Sequence, residues 1–119
     1  MDCVFCKIAN GEIPTDLVYE DEWVAAFNDI EPMAPIHILF VPKKHIASSN
    51  AFAQGEDAAI VGHIFEAIAK VAKEQGFAAD GYRVVTNCGT NGGQSVPHLH
   101  FHVLGGKKIR FPGFDPDAK

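Results

Sequence analysis

The stretch PHLHFHVLGG, residues 97–106, carries three of the chain's six histidines at every second position. Leu99, Phe101 and Val103 fill the places around them. Period-two alternation belongs to a strand with one apolar and one polar face. The spacing predicts a strand over 98–104 that presents His98, His100 and His102 to one side. Neighbours in such a row lie about 6.6 Å apart and the outer two about 13 Å apart. A metal–nitrogen bond is about 2 Å. Two neighbours could therefore share an ion, but three on a regular strand could hardly do so. The row is better suited to nucleophilic or proton-transfer work, in which one imidazole acts while its neighbours hold its tautomer.

The segment just upstream supplies the complementary half. NCGTNGGQSVPH, residues 87–98, sets Asn87, Thr90, Gln94 and Ser95 among three glycines. Glycines let backbone amides, here near Gly93 to Ser95, approach a ligand oxygen closely. Asn91-Gly92 alone would also satisfy a hairpin turn. Followed by the histidine row, the loop reads as a phosphate site.

Working outward, YRVVTN (82–87) reads as a strand that the short 88–95 loop would pair antiparallel with the last one. Glu56 to Gln75 has apolar residues at Ile60, Ile64, Ile68 and Val71, and at Val61, Phe65 and Ala72, a wide helical stripe that Gly76 would cap. IHILFVP (36–42) is a strand ended by Pro42, and EPMAP (31–35) is irregular because its prolines remove donors and restrict their neighbours. LVYED and WVAAFND form a hairpin about Asp21-Glu22. IPTD (13–16) is a turn, and residues 2–9 form a short helix closed by Asn10-Gly11. The tail from Gly105 is turn-rich and irregular. The expected fold is α+β: one domain over 1–119, an antiparallel sheet of about five strands with one long helix and a short N-terminal helix.

Composition limits the partners. A formal net charge of −5 and thinly spread basic residues speak against a nucleic-acid duplex. No apolar run approaches the ~20 residues that span a bilayer, so no membrane partner is expected. MDCVFCKIANGE lacks the apolar segment of a leader. Three cysteines, Cys3, Cys6 and Cys88, do not make a disulfide scaffold. A cytoplasmic protein is expected. CVFC (3–6) has the spacing of half a zinc site or of two small half-buried residues, and no βαβ pattern follows to support a redox pair. His63, between Ile60 and Ile64, reads as a surface or edge residue.

GGQSVPHLHFHVLGG (92–106) resembles the motif of the histidine triad (HIT) superfamily, His-x-His-x-His with two apolar residues following. YEDEWVAAFNDIEPMAPIHILFVPKKHI (19–46) is similar to the corresponding segment of its nucleotide-binding branch. The likeness runs from about Phe5 to Pro112. It implies a homodimeric α+β fold and a purine nucleoside phosphoramidase that cleaves AMP–amine bonds through a nucleotidyl-histidine. A dinucleoside polyphosphate hydrolase and a non-catalytic nucleotide-binding protein are the alternatives. His102 stands where the uridylyltransferase branch usually has glutamine, and this favours a hydrolase.

By the same resemblance His100 is the nucleophile, oriented by His102. His98 lies near the leaving group with Ser95 bonded to it, and His37 is a further histidine behind the row. Asn87, Gly93 and Gln94 contact phosphate. Asp29 takes the ribose hydroxyls, and Phe5, Ile8, Phe27 and Ile30 form the slot for the base. The chemistry requires no cofactor. Some bacterial relatives with the N-terminal cysteine pair hold a structural zinc, and the matching residues are Cys3, Cys6, His45 and His98. Asn28 and Phe111 depart from the frequent histidine and tryptophan, which leaves base preference and leaving-group recognition open.

Overall fold

The computed structural model describes residues 3–109. Strands β1 (Leu17–Glu20), β2 (Val24–Asn28), β3 (Ile36–Pro42), β4 (Arg83–Val85) and β5 (Phe101–Gly105) form one sheet in the order β1-β2-β3-β5-β4. Every pairing is antiparallel. The helices are α1 (Val4–Ala9), α2 (Glu56–Gln75) and α3 (Gly89–Gly92). The expected α+β architecture is the observed one. Among the described residues no helix is long and apolar enough to cross a membrane.

The two faces of the sheet bury different sets. Val24, Ala26, Ile38, Phe40, Phe101 and Val103 face α2, which contributes Ile60, Ile64, Ala67, Ile68, Val71 and Ala72. Each fully buried isoleucine of that set contributes roughly 1.5–3 kcal/mol relative to exposure. The stripe is narrower than expected: Phe65 is about half exposed, at its margin, and packs edge-to-face with Phe101 at 5.6 Å between ring centres. Gly76 takes the left-handed conformation (φ 82°) and ends α2, with the Phe77 amide bonded back to Ala72 O, as helix C-caps require. The opposite face packs Ala25, Phe27, Leu39 and Val41 under Cys3, Phe5 and Ala9. His37, Leu39 and Val41 alternate with Ile38 and Phe40 along β3. His37 and the histidine row therefore share the α1 side.

Four local expectations are corrected. The last strand begins at Phe101, not at 98. Pro97 has no N–H, the Leu99 amide bonds Ile46 O at 2.6 Å, and Pro42 O accepts from the His98 ring at 2.9 Å. The ladder cannot extend past Phe40–Phe101. Strand β4 is shorter than 82–87, because Thr86 and Asn87 direct their side chains to His100 O and Gly92 O. The 88–95 loop contains a one-turn helix rather than an Asn-Gly hairpin turn, closed by Gly93 at φ 76°. The 2–9 helix starts at Val4, with Cys3 as its N-cap. Of the tail, only residues through 109 are described; Phe111 lies outside the described residues.

Candidate active site and metal centre

His100 is buried at 2% exposure, and its Nδ1 lies 2.7 Å from His98 O. A carbonyl only accepts, so Nδ1 carries the proton and Nε2 keeps a lone pair. No buried side-chain nitrogen or oxygen among the described residues lacks a partner. The unbonded Nε2 therefore opens to the adjoining cavity. His100 O accepts from Thr86 Oγ1 at 2.8 Å, and the Phe5 ring meets the imidazole edge-on at 5.0 Å. Backbone and ring are thus fixed from three sides.

That cavity has a volume of about 640 Å³. Phe5, Ile8, Phe27 and Ile30 line it together with Asp29, Ser95, His37 and His100, so the residues expected for base, ribose and nucleophile surround one hollow. Phe5 and Phe27 are buried and pack edge-to-face at 5.6 Å, while Ile30 is 95% exposed at the rim. Asp29 Oδ1 accepts from the Glu31 amide at 2.8 Å, and Oδ2 lies 3.4 Å from His37 Nε2.

His102 and Asn87 line a second hollow of about 570 Å³, which shares Met33 and His37 with the first. The registers place His102 opposite Leu39 and His37 opposite Leu104. His37 and His102 are diagonal neighbours, joined by an Nε2–Nδ1 hydrogen bond of 2.9 Å. The Met33 amide donates to His37 Nδ1 at 3.1 Å. Burial pushes the His102 imidazole down to about 4 and the nearby His100 and His37 rings add to this, so it is neutral near pH 7. His37 therefore stands beside the row, not behind it.

The loop residues expected at phosphate have other work in this structure. Gln94 Nε2 donates to Ala47 O (2.7 Å) and Val96 O (2.9 Å), and its Oε1 accepts from the Gly89 amide. Asn87 Nδ2 donates to Gly92 O. The Gly93 and Gln94 amides bond Thr90 O and Gly89 O inside the loop. Gln94 and Asn87 shape the loop, and Ser95 is the loop residue that lines the His100 cavity together with Val96.

His98 belongs to a different cluster. It is fully buried and does not line the His100 cavity. Its Nε2 bonds Pro42 O, so Nε2 carries the proton and Nδ1 is a lone pair. That Nδ1 lies 3.2 Å from Cys3 Sγ, 3.4 Å from Cys6 Sγ and 3.2 Å from His45 Nδ1. Cys6 Sγ is 3.2 Å from His45 Nδ1. The four donor atoms lie within 4.8 Å of one another. Two thiols and two imidazoles, one with its other nitrogen fixed by a carbonyl, make a donor set that fits tetrahedral zinc. Burial and the adjacent Cys3 raise the Cys6 thiol to about 11, a cost that a bound cation would relieve. Burial pushes His98 down to about 4, so its ring is neutral near pH 7, the form that binds a metal.

Sequence reasoning missed the backbone groups that hold these rings: the Met33 amide and the carbonyls of His98 and Pro42. Such groups carry no residue-type signal. Thr86 could have been found, as a hydroxyl at the end of an apolar strand. Cys88 is half-buried beside Ser48 and Ser49, whose hydroxyls lead in holding its thiol below the ordinary range; it joins neither centre. His63 is a surface residue, stacked on Trp23 at 3.7 Å.

Comparison with known proteins agrees with this geometry. The chain is 43% identical over 108 residues to the purine nucleoside phosphoramidase of Escherichia coli K12, covering 91% of this chain and 90% of that one. A histidine triad protein from Clostridium difficile superposes with a TM-score of 0.89 at 57% identity, covering 93% and 96% of the two chains. A HIT family hydrolase from Legionella pneumophila Philadelphia 1 gives 0.88 at 45% identity, covering 93% and 98%. The HIT domain family matches residues 10–109, and with the histidine row, its strand and its cavity in place, the chain belongs to the HIT family.

Proposed function

We propose that this chain is a nucleotidyl hydrolase that cleaves the P–N bond of purine nucleoside phosphoramidates through a covalent nucleotidyl-histidine on His100. The observation that carries the reading is the His100 ring: Nδ1 donates to His98 O at 2.7 Å, and the ring borders the hollow that Asp29 and the apolar slot also line. The E. coli relative's name supports the substrate class.

In the first step the Nε2 lone pair of His100 attacks the α-phosphorus, the P–N bond breaks, and the leaving nitrogen takes a proton from solvent through the Ser95 hydroxyl, which the proton shed by water in the second step replaces. The imidazolium so formed keeps its Nδ1–H on His98 O, which stabilises the developing positive charge. In the second step water attacks phosphorus, the Nε2–P bond breaks, and a mononucleotide leaves. The apolar slot takes the purine and Asp29 the ribose hydroxyls. Ser95, which shares the cavity, is assigned to the leaving amine. His98 has no proton-handling role here, because one ring nitrogen bonds Pro42 O and the other faces the cysteines.

The same proposal includes zinc held by Cys3, Cys6, His45 and His98 as a structural ion, and the homodimer that the resemblance implies. Zinc would contribute stability, with no part in the two steps. The test is to mix the protein with adenosine 5′-phosphoramidate, quench early, and look for AMP and an adenylylated histidine, with His100→Ala as control. Absence of both from the wild-type reaction would reject the reading. Metal analysis and sedimentation mass read the ion and the dimer.

A further inference from the structure

We propose that the backbone amide of Met33 is a positioning group: it sets the direction of the His37–His102 hydrogen bond and so makes His102 an Nε2–H donor beside His100. The Met33 N–H lies 3.1 Å from His37 Nδ1. An amide can only donate, so Nδ1 is the lone pair and the His37 proton sits on Nε2. Both neighbours of that Nε2 accept: His102 Nδ1 at 2.9 Å and Asp29 Oδ2 at 3.4 Å. His102 Nδ1 then lacks a proton, and the neutral ring carries it on Nε2. Reversing the direction would set two N–H groups against each other at His37.

The amide also distinguishes this chain of bonds from a metal site. Asp29, His37 and His102 offer three ligand atoms within 4.8 Å of one another, a spacing that suits a divalent ion. An ion on His37 Nε2 would force that ring's proton onto Nδ1, against the Met33 N–H. The donor of this loop therefore selects a proton-carrying pair over a metal-binding one.

Sequence and burial agree with a backbone role. The Met33 side chain is 76% exposed, so core packing does not hold it. Pro32 and Pro35 restrict the loop around it, and the Glu31 amide on Asp29 Oδ1 pins the start of the loop. At the far end of the chain, His102 borders one hollow and His100 the other, with their ring centres 5.0 Å apart. A fixed donor thus stands next to a fixed lone pair.

The kinetic consequence rests on the hydrolase reading above; the tautomers do not. Long-range ¹H–¹⁵N correlation spectra of the protein labelled at histidine separate protonated from unprotonated ring nitrogens. Expected in the wild type are Nε2–H at His37 and His102 and Nδ1–H at His100. Met33→Ala, which keeps the amide, retains these states. Met33→Pro, which removes it, gives mixed tautomers at His37 and His102. On adenosine phosphoramidate Met33→Pro lowers kcat about tenfold relative to Met33→Ala, with KM little changed. A proton on Nδ1 of wild-type His37 overturns the proposal even if Met33→Pro fails to fold, as do wild-type tautomers in a folded Met33→Pro. Absence of wild-type turnover rejects the hydrolase reading alone, because the spectra still decide this one.

Discussion

His100 Nδ1 donates to the carbonyl of His98, two residues upstream, at 2.7 Å. One peptide carbonyl thus connects the two centres, because the same residue's ring faces Cys3, Cys6 and His45. The contact also fixes which nitrogen of His100 can attack. His100→Ala removes the nucleophile and leaves the slot intact. Turnover of an adenosine phosphoramidate should fall on the order of 10⁴-fold or more, while AMP binding by calorimetry stays within about tenfold of wild type. Retained turnover would show that the bond is broken elsewhere.

Thr86 holds the other side of that segment. Its hydroxyl donates to His100 O at 2.8 Å from the end of β4. Thr86→Val keeps the shape and removes the donor. The expected cost is about 1 kcal/mol of stability, read by urea denaturation. A drop in kcat with little change in KM should accompany it, since the ring is displaced but the slot is not.

The cysteine–histidine cluster predicts a metal-dependent fold rather than metal-dependent chemistry. Cys3→Ser should lose the bound zinc by elemental analysis and lower the thermal midpoint by about 10 °C or more. Cys88→Ser, outside the cluster, should retain the metal. Below the variant's midpoint some turnover should persist, because His100 Nδ1 bonds a backbone carbonyl, not the ion. Complete loss of activity in a folded, zinc-free protein would place the ion in the reaction.

The sequence made the row legible because strand alternation survives even where the ladder does not. Leu99 packs with the α2-side core, although residues 98–100 lie outside β5. Helix α2 was legible from its period, and only Phe65 departed, at the margin where a stripe fades into solvent. His37 could be named from the resemblance but not placed, since its diagonal contact with His102 depends on the β3–β5 register. Gln94 and Asn87, expected at phosphate, pose a related problem. A carboxamide near a phosphate loop can bond a ligand or the loop itself, and only coordinates show that these two close the loop.

His102 is held neutral well below its ordinary range, to about 4, chiefly by burial. In the unfolded chain a histidine titrates near 6.5. Between those values the unfolded state binds the proton and the folded state does not. The stabilisation is therefore full above about pH 6.5 and is lost as pH falls toward about 4. His102→Gln removes this contribution while leaving a polar side chain beside His37. Denaturation series at pH 7.5 and pH 4.5 should show wild type losing more stability than the variant over that interval. The steeper acid limb of the wild type is the signature, and parallel limbs in the two proteins would mean that His102 titrates in the folded state as freely as in the unfolded one.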